Sequence, residues 1–257
     1  TMNFETEAGI IRALGKIYQN GYLYQGQKPV NWCIDCGSAL AEAEVEYEDK
    51  HSPAIDVGFE VQSTAYPLLS KAFEVDLPAD SPAYAIIWTT TPWTLPANQA
   101  VSIHPDFDYA LIQSDRGLLI LAEELKQDCL ERYQLSGTTL ATCKGQALEH
   151  LPLQHPFEAR PVGIICGKHV TLDAGTGLVH TAPAHGLDDY VVGQKYNLPS
   201  DSPVDGSGKF LDSTALVGGL SVWKANDVVI DTLKTSGHLF CLKKIDHSYP
   251  HCWRHKT

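Results

Sequence analysis

The sequence predicts an α+β fold with a barrel-like mixed β-sheet core and flanking helices. Three observations predict it. Short apolar segments of strand character recur at 54–61, 83–89, 107–113, 117–121, 162–165, 177–181 and 238–249. Only a few segments carry a helical period. Strands and helices do not alternate regularly, which argues against a doubly wound parallel sheet.

Taken in order, residues 3–20 read as a helix. Phe4, Ile10, Ile11, Leu14, Ile17 and Tyr18 recur three and four apart as one apolar stripe, with Asn3 as N-cap and Gly21 as stop. Residues 22–32 read as extended. From Ala39 to Glu48, Glu42, Glu44, Glu46 and Glu48 alternate with Ala43, Val45 and Tyr47, the pattern of a half-buried strand whose acidic face is solvated. Pro78 and Pro82 break the chain between the next two strands. Phe107–Gln113 and Gly117–Leu121 form a hairpin, with a turn over 114–117. Glu123–Tyr133, Asp188–Tyr196 and Ala225–Ser236 read as helices, and Ser200–Gly208 as a polar loop.

Composition narrows the function. The formal net charge of −12 argues against a domain that grips nucleic acid along its phosphates. It leaves open one that touches only the end of an RNA held elsewhere. No run of about 18 apolar residues suggests a membrane span, and no basic segment leads an apolar one as in a secretory signal. The seven cysteines lack the rhythm of a small disulfide scaffold. They read as free thiols or a metal site in a reducing cytoplasm. Met2 is the only methionine and follows Thr1, so the chain reads as a piece of a longer protein.

Two stretches carry chemistry. Trp88-Thr89-Thr90-Thr91-Pro92-Trp93-Thr94-Leu95-Pro96-Ala97-Asn98 brings an apolar strand to a proline-stiffened turn crowded with hydroxyls. It suits a substrate-cradling edge, and equally an ordinary Thr-rich strand with turn prolines. The second runs from Asp173 through Gly175 and Gly177 to His180, His185, Asp188 and Asp189. It could be a metal site, an acid/base pair or a substrate clamp.

Together these strings, TTTPWTLPAN and GTGLVHTAPAHGLDDY, resemble the two signature regions of the editing domain of isoleucyl-tRNA synthetases. SALAEAEVEY and SYPHCWRHKT agree, so the resemblance spans nearly the whole chain. Pro92-Trp93-Thr94-Leu95-Pro96 favours the isoleucyl branch over valyl and leucyl relatives, which have an arginine at or near Trp93. Ala184 departs from the glycine of many members. The family's aminoacylation signatures, His-x-Gly-His and Lys-Met-Ser-Lys-Ser, are absent, so ATP and Mg belong to the synthetase body outside this chain.

The resemblance implies hydrolysis of valine mischarged on tRNA(Ile) by a positioned water, with no cofactor for editing. Thr89, Thr90 and Thr91 would surround the ester and terminal adenosine, and Asp189 would hold the α-ammonium. His180 and Thr94 would shape the side-chain pocket, with Asn98 beside them. The implied partners are the valine-bearing 3′ end of tRNA(Ile) and the rest of the synthetase, in the cytoplasm. Two other readings stand beside it. One is a non-catalytic, zinc-stapled tRNA-binding module. The other is a metal-dependent hydrolase using His180, His185, Asp188 and Asp189.

Cys33-Ile34-Asp35-Cys36 and Cys252-Trp253-Arg254-His255 have zinc-ligand spacing. They lie near opposite ends of the chain and would meet if those ends run together as a stem, as an insertion requires. Structural zinc on Cys33, Cys36, Cys252 and His255 is the expectation. The implied organisation is a stem and helix segment over 1–50, an editing domain over 51–240 and a returning stem strand over 241–257.

Overall fold

The computed structural model describes residues 2–77 and 81–256; Pro78, read as a breaker, lies outside them. Helix α1 (Phe4–Gln19) begins where the Asn3 side chain accepts from the Glu5 amide at 2.9 Å. No residue of α1 is buried, and its apolar stripe from Phe4 to Tyr18 stays exposed. Periodicity dictates which side chains share a helix face, not what covers that face.

Two short strands, β1 (Trp32–Cys33) and β2 (Ser38–Ala39), form a separate hairpin. The strand expected over 39–48 is corrected in its first half. Glu42–Glu44 is a single 3₁₀ turn, closed by the Ala41 amide donating to Glu44 Oε2 at 2.9 Å. Alternation resumes in β3 (Val45–Val61), one continuous strand that includes the separately expected 54–61 segment.

The chain continues through α2 (Tyr66–Phe73), β4 (Ala83–Thr89), β5 (Ala100–Ile103) and the hairpin β6 (Asp108–Ser114) and β7 (Gly117–Ala122). Then follow α3 (Lys126–Tyr133), β8 (Gly137–Lys144), β9 (Pro152–Gln154), β10 (Pro161–Cys166) and β11 (Leu178–Thr181). Helices α4 (Leu187–Lys195) and α5 (Val222–Thr235) and strand β12 (Leu239–Cys252) complete it. Sequence periodicity did not reveal α2, β5, β8 or β9. β5 and β9 are short, and the exposed β8 lacks an apolar alternation.

The sheet is mixed, in the order β11-β5-β10-β9-β3-β4-β7-β6-β8, with β12 also paired to β3. Among the described residues no ladder joins β11 to β8, so the sheet is open rather than a closed barrel. Its centre is buried on both faces by period-2 alternation. Phe59, Ile87, Leu111 and Ile120 point into one cluster with Leu69 of α2. Ile86, Ile112, Leu119 and Leu121 point into another under α3. Full burial of each such side chain contributes about 1.5–3 kcal/mol. This rigid centre carries two features outward: the end of β4, and the ribbon in which β12 runs antiparallel to β3 from Val57 back to Val45.

Candidate functional site

The end of β4 and the start of β5 are joined by a turn that two prolines stiffen. Pro92–Ala97 forms 3₁₀ geometry because Pro92 and Pro96 fix φ and offer no amide hydrogen. The Thr91 amide donates to Thr89 Oγ1 at 3.1 Å, and the two hydroxyl oxygens are 3.2 Å apart. Thr90 sits half-buried between them. The Trp93 amide donates to Asn226 Oδ1 of α5 at 3.0 Å, and Arg160 donates to the Asn98 carbonyl. Asn226 carried no signal in the sequence, being one polar residue on an amphipathic helix.

Strand β11 lies antiparallel to β5, with His180 opposite Val101, and this brings His180 to the proline turn. A hydroxyl has a single proton. Thr94 gives its proton to the Thr91 carbonyl at 2.9 Å, so it can only accept at its 2.9 Å contact with His180 Nε2. His180 therefore carries its proton on Nε2. Its Nδ1 faces Asn98 Nδ2 at 3.4 Å, and the same amide also donates to the Ala100 carbonyl at 2.8 Å. Both ring nitrogens are engaged. Burial, with His185 nearby, holds the imidazole down at about 4. His180 is thus neutral near pH 7 and has no free lone pair with which to take a proton from water.

Asp189 stands in the first turn of α4, half-buried, and its Oδ2 accepts from the Ala182 amide at 2.9 Å. Burial raises its pKa, opposed by that backbone hydrogen bond. The bond ties Asp189 to the residue two beyond His180, so the carboxylate and the imidazole belong to one locality. Asn98 Oδ1 and His185 Nε2 are buried without a hydrogen-bond partner among the described residues. Such atoms mark places where a polar ligand or water makes contact. The His185 ring meets Trp93 edge-on, with centroids 4.9 Å apart.

The structure thus joins Thr89, Thr91, Thr94, Asn98 and His180 by hydrogen bonds, and it ties Asp189 to the Ala182 amide just past β11. It does not gather a metal site there. Among the described residues, His180, His185, Asp188 and Asp189 do not form a group with ligand atoms in mutual reach, and Asp188 is exposed. The metal-hydrolase reading finds no gathered ligand set: His180 and Asp189 go into separate hydrogen bonds, His185 packs on the Trp93 ring, and Asp188 faces solvent.

A second cluster does converge. The ligand atoms of Cys33, Cys36, Cys252 and His255 all lie within 4.8 Å of one another. Cys36 Sγ is 3.8 Å from Cys252 Sγ and 3.2 Å from His255 Nδ1, and Cys33 Sγ is 3.7 Å from the same nitrogen. A tetrahedral zinc with bonds of about 2.3 Å to sulfur and about 2.0 Å to nitrogen needs ligand atoms roughly 3.5–3.8 Å apart. The donor set suits that ion, and three of its spacings, 3.2, 3.7 and 3.8 Å, lie near those values. Each arm makes the same turn. Gly37 N donates to the Cys33 carbonyl at 2.9 Å with φ +61°, and Lys256 N donates to the Cys252 carbonyl at 2.8 Å with φ +59°. All seven cysteines are free of disulfides.

Comparison with known proteins gives the family and the fold. The family model described as tRNA synthetases class I (I, L, M and V) matches residues 1–240. The chain is 68% identical to an isoleucine–tRNA ligase of Nitrosomonas europaea and 60% identical to that of Thiobacillus denitrificans, in both cases over the whole chain. It spans 28% of the length of each. Among solved structures, the cytosolic leucyl-tRNA synthetase editing domain of P. knowlesi superposes with a TM-score of 0.57 at 12% identity, covering 79% of this chain and 98% of that one. At that identity the likeness is one of fold. No helix among the described residues is long and apolar enough to cross a membrane.

Proposed function

The chain belongs to the class I tRNA synthetases of the isoleucine, leucine, methionine and valine group, and from that premise we propose that it is a proofreading segment which hydrolyses valine mischarged on tRNA(Ile). The observation that carries this reading is the doubly engaged, neutral His180 packed against the threonine turn. One methylene separates valine from isoleucine. A hydrophobic pocket resolves such a difference only about 10–200-fold, a rule for which isoleucyl-tRNA synthetases are themselves the worked example. A second site that admits the smaller side chain and cleaves its ester supplies the remaining fidelity.

In this reading the oxygen of a positioned water attacks the ester carbonyl. The bond to the ribose oxygen breaks, a proton of the water passes to that oxygen, and valine and free tRNA leave. Thr89, Thr90 and Thr91 orient the ester and the terminal ribose by hydroxyl contacts. Asp189 holds the α-ammonium; a half-buried carboxylate is a strong partner for a cation. His180, fixed by Thr94 and Asn98, is the wall that excludes the extra methylene. Acceleration comes from positioning and local electrostatics rather than from a covalent intermediate.

Cys33, Cys36, Cys252 and His255 would hold a zinc ion with a structural role, closing the ribbon of β3 and β12 away from the reaction. The segment acts on the 3′ end of tRNA(Ile) within a longer cytoplasmic synthetase, whose body supplies ATP binding and most contacts to the RNA. The deciding experiment compares deacylation of valyl-tRNA(Ile) and isoleucyl-tRNA(Ile) by the purified protein. Hydrolysis of the first and sparing of the second is expected; equal rates on both would refute the sieve.

A further inference from the structure

The hydrolytic site is held from behind by a buried ion pair to which neither signature motif points. Asp56 of β3 is 1% exposed, and its partner in the adjacent β4 is Trp88, the residue before Thr89. Arg132 of α3 grips Asp56 with both arms, Nη2 to Oδ1 at 2.7 Å and Nε to Oδ2 at 3.2 Å. The Tyr133 hydroxyl adds a third bond to Oδ1 at 2.9 Å. A buried carboxylate so paired is locked in place, and removing one partner strands the other charge.

This pair also reaches the loop that precedes β11. Arg132 Nη2 also donates to the Gly175 carbonyl at 3.2 Å, and the Cys129 thiol donates to the same oxygen at 3.3 Å. Gly175 has φ +84°, and a Cβ added there would lie 3.2 Å from the Trp88 Cβ. The loop therefore lies directly on the residue that precedes the threonines. Further anchors continue along it. The Ala122 amide donates to the Thr176 carbonyl at 2.9 Å, and the Tyr109 hydroxyl to the Gly177 carbonyl at 2.8 Å. Strand β11, with His180, begins one residue later.

We propose that Arg132, oriented by Asp56, is a positioning residue of the hydrolytic site. Through the Gly175 carbonyl it fixes the loop that launches His180 against Trp88, and so sets the spacing between His180 and the hydroxyls of Thr89 and Thr91. A guanidinium suits the task because its planar fork satisfies the carboxylate twice while one nitrogen still reaches a third acceptor. A lysine ammonium can keep the charge pair but not the bidentate grip and the loop contact together.

This inference rests on the proposed ester hydrolysis, and the test separates the two. Arg132→Lys is introduced into a full-length isoleucine–tRNA ligase carrying this segment. Single-turnover hydrolysis of valyl-tRNA(Ile) is measured across tRNA concentrations. A wild-type enzyme that does not hydrolyse valyl-tRNA(Ile) refutes the function and leaves the positioning claim without a reaction to position. If the wild type is active, Arg132→Lys should lower kcat about tenfold or more with little change in KM, the signature of misplaced reacting groups. Leu69→Ala, in α2 and outside the cluster that packs Cys129 and Tyr133 of α3, is the control for general destabilisation; at a similar melting temperature it should leave kcat near the wild-type value. Amide hydrogen exchange over 176–181 gives a readout independent of activity, and should quicken in Arg132→Lys but not in Leu69→Ala. Wild-type kcat in Arg132→Lys, or an equal loss in Leu69→Ala, would overturn the proposal.

Discussion

Two histidine-containing clusters stand side by side in the sequence reading, and the fold treats them in opposite ways. His180, His185, Asp188 and Asp189 fall within ten residues, yet each goes to its own partner: Thr94 and Asn98, the Trp93 ring, solvent, and the Ala182 amide. Cys33 and Cys252 are separated by most of the chain, yet their cluster closes to within 4.8 Å. Proximity in sequence supplied no cluster of ligand atoms among the described residues; the ladder between β3 and β12 did. One cluster keeps an imidazole neutral and rigid; the other brings together a donor set that could hold a cation.

The sharpest way to break that contrast is at the thiols. Structural zinc stabilises small folds by apparent energies of about 10–16 kcal/mol in isolated peptides. We expect about one ion per chain when the protein is purified without chelator, measured by elemental analysis. Cys252→Ser should lose the ion and lower the thermal midpoint, while valyl-tRNA hydrolysis largely survives. Less than half an equivalent of zinc, with the thiols at 33, 36 and 252 all freely titratable, would remove the second cluster from the comparison.

His180→Ala tests the first cluster. A wall removed should raise isoleucyl-tRNA hydrolysis by about 10–200-fold, the discrimination one methylene supports, with valyl hydrolysis largely kept. A general base removed would instead slow both reactions about 10²–10⁴-fold. The engaged nitrogens of His180 favour the wall, and the two deacylation rates of this one variant decide.

Asp189→Ala should slow valyl-tRNA hydrolysis by about tenfold or more, since a hydrogen bond to a charged group contributes roughly 1.5–3 kcal/mol. Asp189→Asn keeps an acceptor for the Ala182 amide but loses the charge. Equal slowing in both variants assigns the effect to the ammonium contact; rescue by asparagine would reduce Asp189 to a loop anchor.

The smallest effect concerns pH. Burial holds His155 at about 3 and His180 at about 4. Both lie below the value of an exposed imidazole, so the unfolded chain binds more protons as pH falls through 6.5 toward 4. As far as these two histidines are concerned, stability is full above about pH 6.5 and declines below it. Each group should contribute a loss of roughly 1–2 kcal/mol between pH 7 and 5. Urea unfolding at both pH values measures the sum, and replacing His155 by a neutral isostere should flatten the slope.

The threonine turn, His180 and Asp189 stood out in the sequence, but their shared role came from the family resemblance, since residue types alone fit an ordinary Thr-rich strand equally well. Asn226, Arg160 and the Asp56–Arg132 pair were not legible. Each is an ordinary polar residue on a periodic element, and its importance depends on what lies across the fold. Likewise α1 was correctly read as an amphipathic helix, while its exposure was not.

The sequence by itself determined local conformation: where Asn3 caps a helix, where Pro92 and Pro96 stiffen a turn, and which residues of β4 alternate between faces. Those choices are governed by torsional sterics and nearest neighbours along the chain. The tertiary structure alone decided which side chains meet. Pairing β11 with β5 set His180 against Thr94, and running β12 back along β3 closed the thiol cluster. Register between distant strands is fixed by burial of a whole sheet, a sum over many residues that no local pattern contains.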